Sequence, residues 1–229
     1  KGQWAWMDNY VDAARANGLK LFLCLGGSVE GGYNMPAWAA EEPPVPEGAD
    51  SRKEGGGEKP NYVRLDEWKN FVKEYVRHYK DRIDVIELLN ETGGYEPKPY
   101  LELAEATFNA AHEVDPGFRI SAPSYPCQQI PLDDADNTWV GQVLKGGLYG
   151  HLDIYCAHFY PIPHTMRELE TAVSRYPYEE ELRRKIDFLR TAYGNKPIWD
   201  TESGVTHFPA LEWLWAPGPG EFDVTREDR

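Results

Sequence analysis

Ile83–Glu91 reads IDVIELLNE, a short apolar run that ends at an Asn-Glu pair and is followed by the turn residues Thr92-Gly93-Gly94. A run of this length, rich in β-branched and aliphatic residues and bounded by glycine, has the character of a strand inside a parallel sheet. Lys196–Glu202 (KPIWDTE) repeats the arrangement, again stopping at a carboxylate before a Ser-Gly pair. In a barrel of alternating strands and helices, the C-terminal ends of the strands converge on one mouth. The two runs therefore predict that Glu91 and Glu202 share a face.

Working outward, helix and strand alternate along the chain. Trp4, Met7, Val11 and Ala14 recur at helical spacing, and Gly18 closes that helix before the apolar run Leu19–Leu25 (LKLFLCL), expected to be a strand buried on both sides. Leu65, Trp68, Phe71, Val72, Tyr75 and Tyr79 mark an amphipathic helix leading into Ile83–Leu89. Leu101, Ala104, Phe108 and Ala111 mark the next, which stops at Asp115-Pro116-Gly117 before the strand Phe118–Ala122. A weaker helix over Thr138–Leu144 precedes Leu152–Ala157. Leu182, Ile186, Leu189 and Tyr193 define the last helix, ended by Gly194-Asn195 before Lys196–Glu202.

Five such units predict an α/β fold of (β/α)8 TIM-barrel type. Eight strands make a complete barrel, so the expected barrel is incomplete. Either the remaining strands lie outside this chain, in a missing segment or a partner chain, or the sheet is reduced. Residues 1–229 read as a single partial barrel domain, with an irregular Trp-, Pro- and Gly-rich tail over 205–229. The longest loop, from Gly26 to about Tyr62, follows a strand, on the side where such barrels carry their sites; its Pro/Glu/Gly run reads equally well as an excursion without a role.

Composition narrows the function classes. The 38 acidic residues outnumber the 24 basic ones and give a formal net charge of −14, which opposes binding to nucleic acid or to anionic lipid. A neutral ligand such as a sugar meets no such barrier. No stretch approaches the ~20 apolar residues of a membrane span. Aromatic residues reach 13%; their faces stack on pyranose C–H faces, and they also fill cores. Cys24, Cys127 and Cys156 form neither a disulfide framework nor a zinc motif, and Cys24 and Cys156 are expected to be buried. The chain opens Lys1-Gly2-Gln3-Trp4 without an initiator Met or a signal-peptide pattern, like a processed or excised piece, so localisation, secretion included, stays open.

Paired carboxylates at one mouth are the minimal equipment for cleaving a glycosidic bond. Asn90 stands where it can bond a sugar hydroxyl beside the reacting carbon, although an Asn-Glu pair also serves as an ordinary cap or solvated turn. His158 and Tyr160, in Ala157-His158-Phe159-Tyr160-Pro161, end the intervening strand with matching parity, and a tyrosine hydroxyl there can donate to a carboxylate. Glu87 and Asp200 share the parity of Glu91 and Glu202 and are expected deeper, Glu87 paired with an Arg or Lys. Asp153 reads as a residue opening its strand, and His78, His112 and His151 as solvent-facing. His158 and His164 do not make a compact metal motif, and no phosphate loop, dinucleotide fingerprint or nucleophile elbow is present. No metal and no other cofactor is expected.

Together these motifs resemble the clan A glycoside hydrolases, retaining enzymes on a (β/α)8 barrel. IELLNE is similar to the fourth-strand motif of that clan, which implies that Glu91 is the acid/base with Asn90 beside it. PIWDTESG resembles the seventh-strand motif and implies that Glu202 is the nucleophile. AHFYP resembles the sixth-strand segment and places His158 and Tyr160 in the substrate subsite. LCLGG followed by Met35-Pro36-Ala37-Trp38 resembles the third-strand loop, with Trp38 as a sugar platform. The resemblance covers about residues 3–206, the third to seventh strands. Two departures stand out: Thr92 follows Asn-Glu where the clan usually has Pro, and the clan's first, second and eighth strands are not visible in the sequence. The function so implied is retaining hydrolysis of O-glycosidic bonds in an oligo- or polysaccharide. The alternative is a carbohydrate-binding relative without turnover.

Overall fold

In the computed structural model the described residues are 4–26, 40–41, 62–92, 95–126, 138–159 and 178–202. Trp38, Tyr160, Cys127, His164 and the tail over 205–229 lie outside them.

The helices form where apolar residues recur at helical spacing. Helix α1 spans Ala5–Ala16. In α2 (Leu65–Tyr79), Trp68, Val72, Tyr75, Val76 and Tyr79 make one buried stripe, while Asp66 and Glu67 in the first turn and Arg77 and His78 in the last complement the helix dipole. Helix α3 (Pro97–Val114) starts with Pro at its first position, where the missing N–H is not needed. Its buried stripe runs through Tyr100, Leu103, Ala104, Thr107 and Ala111. Leu101 and Phe108, expected on that face, are only partly buried beside it. The Trp68 indole donates to the Thr107 hydroxyl at 2.7 Å and ties α2 to α3. Helix α4 (Trp139–Lys145) is capped by Thr138, whose hydroxyl accepts from the Gly141 N–H. A 3-10 turn over Leu148–His151 follows. Helix α5 covers Tyr178–Tyr193 and ends at Gly194, whose φ of 110° suits glycine.

Strands β1 (Phe22–Leu25), β4 (Val85–Leu88), β5 (Arg119–Pro126), β6 (Ile154–His158) and β7 (Ile198–Glu202) form one sheet in that order, every pair parallel. Between β1 and β4 the long loop contributes a two-residue antiparallel ribbon, β2 (Ala40–Glu41) with β3 (Tyr62–Val63), which periodicity did not reveal. Chain order and sheet order coincide, so the sheet winds in one direction.

Two cross-sheet contacts show how strongly it curls. Thr201 on β7 donates to Glu87 on β4 at 2.9 Å, although three strand intervals separate them. In a flat sheet that span is about 14 Å. The rings of Phe22 on β1 and Trp199 on β7, at opposite edges, lie 6.0 Å apart. The sheet is therefore a half-barrel, as expected for an incomplete α/β barrel. Its convex face carries Leu25, Ile86, Leu88, Ile120, Ala122, Tyr155 and Ala157 into one apolar cluster with Val72, Val76, Leu103 and Leu189 of the helices. Its concave face carries Glu87 and Thr201 toward each other.

The edges correct three expectations. β1 is not buried on both sides: only Leu25 is buried and Cys24 is exposed. Among the described residues β1 and β7 each pair on one side only, so their side chains lack the second wall that buries β4 and β6. Burial, with the Glu87 charge second, pushes the Cys24 thiol up to about 12. Asp200 is exposed rather than deep, because an irregularity in the β6–β7 ladder breaks the parity that linked it to Glu202.

Candidate active site

The carboxyl ends of β4, β5, β6 and β7 build the site. After β4 the chain turns through Leu89 and Glu91, both non-glycine residues at positive φ, 60° and 47°. Such conformations are uncommon for side-chain-bearing residues and persist where surroundings over-determine them. Here Leu89 is buried at 1% exposure and its N–H still bonds the Leu25 carbonyl of β1. Gly26, at φ 102°, lies against the Leu89 side chain so closely that a Cβ would collide with it. Thr92 is fully buried, and its hydroxyl donates to the Pro123 carbonyl of β5 at 3.1 Å. That bond accounts for threonine where the resemblance leads one to expect proline, which has no hydroxyl to give.

Two ladder irregularities re-aim side chains. Between Pro123 and Tyr125 the β5–β6 register shifts, and Ser124, at φ 53° and fully buried, turns its hydroxyl to His158 Nε2 at 3.1 Å. Between Ala157 and His158 the β6–β7 register shifts as well, so His158 pairs with Glu202 and Thr201 is the extra residue. Thr201 meets Glu87 while Glu202 approaches His158. The Phe159 N–H fixes the end of β7 by bonding the Glu202 carbonyl at 3.0 Å and the Asp200 carboxylate at 3.3 Å.

His158 is the hub. It is 1% exposed, its Nδ1 lies 3.1 Å from Glu91 Oε1 and 3.6 Å from Glu202 Oε2, and the two glutamates are 37% and 45% exposed. The nearest donor atoms of all three lie within 4.8 Å of one another. The two glutamates expected at one face are thus brought together, with His158 between them. Asn90 is partly buried at the same turn. Trp38 and Tyr160 fall outside the described residues, so only their sequence positions tie them to the site.

Glu87 sits below this group, 5% exposed. Its carboxylate accepts from the Thr201 hydroxyl, where an Arg or Lys is expected, and it also bonds the Cys156 thiol. Burial, with Glu87 next, holds the Cys156 thiol well above its usual range. Two histidines expected in solvent have partners: His78 contacts Asp8 at 2.8 Å, and His112 contacts both the Phe118 carbonyl and Asp153. Asp153 also accepts the Ile120 N–H at 2.9 Å, as suits a residue just before β6. Sequence reasoning missed Ser124. The only local hint was its place beside a proline in SAPSYP, and no periodicity marks a bulge.

No protein-family model matches the chain, and no curated protein is similar to it in sequence. Solved structures are similar in fold. A GH39 beta-xylosidase from Caulobacter crescentus superposes with a TM-score of 0.57 at 20% identity, over 92% of this chain and 43% of that one. The GH39 enzyme from Xanthomonas axonopodis pv. citri gives 0.57 at 17% identity, over 91% and 41%. The exo-beta-1,4-mannosidase Op5Man5 from Opitutaceae bacterium strain TAV5 gives 0.54 at 17%, over 89% and 35%. The chain spans less than half the length of each of these structures. It is similar in fold to part of each of them.

Proposed function

We propose that the chain carries the two-glutamate centre of a retaining glycoside hydrolase, acting on O-glycosidic bonds of an oligo- or polysaccharide. The observation that carries this reading is the Glu91–Glu202 approach: donor atoms within 4.8 Å. Retaining pairs stand ~5–5.5 Å apart, whereas inverting pairs keep ~6.5–9.5 Å to admit a water. The concave, strand-end location and the similarity in fold to named glycosidases support the same reading.

In the first step Glu202 attacks the anomeric carbon while the Glu91 proton passes to the leaving oxygen, forming a glycosyl ester and releasing the alcohol. In the second, Glu91 takes a proton from water, the hydroxide attacks the anomeric carbon, and the Glu202 carboxylate leaves. His158 holds both carboxylates in register. A hydroxyl both donates and accepts, so Ser124 can anchor Nε2 in either imidazole tautomer. The resemblance in sequence gives Asn90 the role of bonding a sugar hydroxyl and assigns Trp38 and Tyr160 to substrate binding. The carbohydrate is the only partner this chemistry requires; no helix among the described residues is long and apolar enough to cross a membrane.

A panel of aryl glycosides that includes β-xylosides and β-mannosides tests the reading. The full chain is expected to turn over at least one, and Glu202→Gln to abolish that turnover. Substantial turnover by Glu202→Gln contradicts the assignment. The second reading, sugar binding without hydrolysis, draws on the unpaired outer edges of β1 and β7 among the described residues. It predicts calorimetric sugar binding with no released aglycone.

A further inference from the structure

We infer that Glu91, His158 and Glu202 also form a binding site for one divalent transition-metal cation of the zinc class, which excludes sugar from the same mouth. Among the described residues this is the one set of three metal-capable side chains with donor atoms within 4.8 Å of one another. Its members come from the ends of three different strands, so no spacing in the sequence announces it.

The donor chemistry selects the ion. One imidazole nitrogen and two carboxylate oxygens suit zinc, whereas magnesium and calcium favour oxygen-only shells. Zinc bonds of ~2.0–2.2 Å in tetrahedral geometry set the ligand atoms ~3.3 Å apart. Nδ1 already stands 3.1 and 3.6 Å from the two carboxylates. Only the Glu91–Glu202 separation has to tighten, and both side chains are over one-third exposed.

A second observation comes from behind the ring. Metal-binding histidines typically give their other N–H to a fixed acceptor, which sets the tautomer and the ring plane. Ser124 Oγ stands 3.1 Å from Nε2, is buried, and is aimed there by the β5 irregularity. With Ser124 as acceptor, the Nδ1 lone pair points between the two carboxylates. Among the described residues the other carboxylate–histidine contacts, His78 with Asp8 and His112 with Asp153, involve no third metal-capable side chain at comparable range.

The regulatory consequence rests on the glycosidase reading: a cation held by Glu202 and Glu91 removes both the nucleophile and the acid. Titration calorimetry of the full chain with zinc chloride, with magnesium chloride in parallel, separates the two ideas. One saturable zinc equivalent is expected and none for magnesium. His158→Gln and Glu202→Gln should each weaken zinc at least 100-fold, Ser124→Ala about 10–100-fold, and Asp66→Asn, at a side chain 96% exposed, not at all. In aryl-glycoside turnover zinc should raise KM and leave kcat unchanged. Absence of a saturable equivalent, or wild-type zinc binding by both His158→Gln and Glu202→Gln, overturns the site. A chain that binds zinc through these residues but cleaves no glycoside upholds the metal site and refutes the glycosidase reading; a chain that cleaves glycosides without binding zinc does the reverse.

Discussion

His78 meets Asp8 at 2.8 Å between α2 and α1, and His158 meets Glu91 at 3.1 Å where the strands end. The pairs are alike in chemistry and differ in company. Around His78, Arg82 bonds both Asp8 and Asp12, and the Trp4 ring stacks on the imidazole at 5.2 Å, so a cation lies between the two carboxylates and the ring is fixed. His158 meets two carboxylates and a serine hydroxyl, with Glu91 and Ser124 at positive φ and Ser124 and Glu202 beside ladder irregularities. The first cluster fastens a helix that otherwise buries only Val11. The second brings two carboxylates beside one imidazole at the strand ends, on backbone that includes positive-φ residues. A cation between two carboxylates suits a joint, whereas paired carboxylates beside strained backbone suit the chemistry proposed above.

Mutations should separate the two regions. Glu202→Gln is expected to lower kcat by on the order of 10⁴-fold or more, with a urea midpoint close to wild type because the side chain is largely exposed. Glu91→Gln should cost about 10²–10⁴-fold on substrates with poor leaving groups. The loss should shrink on activated aryl glycosides, which need less protonation; equal losses on both classes would remove Glu91 from the acid role. Thr201→Val leaves the buried Glu87 without its hydroxyl partner and should destabilise the fold by about 1–3 kcal/mol in urea melts. A neutral effect would mean that the half-barrel does not depend on that cross-sheet bond.

The smallest effect belongs to the joint. Burial pushes the Asp8 carboxyl up, but His78 and Arg82 outweigh it and leave the group below its usual value. A depressed carboxylate stabilises the fold above its ordinary range, and that contribution is lost as pH falls through the lowered value. Asp8→Asn should therefore flatten the acid limb of the stability profile and loosen α1, with glycosidase activity retained. An unchanged acid limb would show that Asp8 does not anchor the helix.

Much of this was legible in the residues. Helical periodicity placed α2 and α5, the Asp-Pro-Gly breaker ended α3, and the terminal Glu91 and Glu202 marked the strand ends that the fold brings together. What escaped detection depends on pairing between strands. Parity put Asp200 beside Glu202, but the β6–β7 irregularity inserts Thr201 and reverses the alternation. Glu87 was assigned a cationic partner because neighbours along the chain do not reveal a hydroxyl from three strands away. Ser124 and Thr92 do their work through a bulge and a loop tether, neither of which leaves a periodic trace. The exposure of Cys24 follows from β1 being an edge, which its apolar composition conceals.

The claim that Glu91 and Glu202 form a retaining pair is tested most directly by trapping the intermediate. The full chain would be incubated with activated 2-deoxy-2-fluoro glycosides of the turned-over sugar, then analysed by intact mass and peptide mapping. The account predicts a single glycosyl adduct on Glu202, accumulating and then released slowly in water. An adduct on another residue, or turnover of the parent glycoside with an inverted anomer and no adduct, would contradict it.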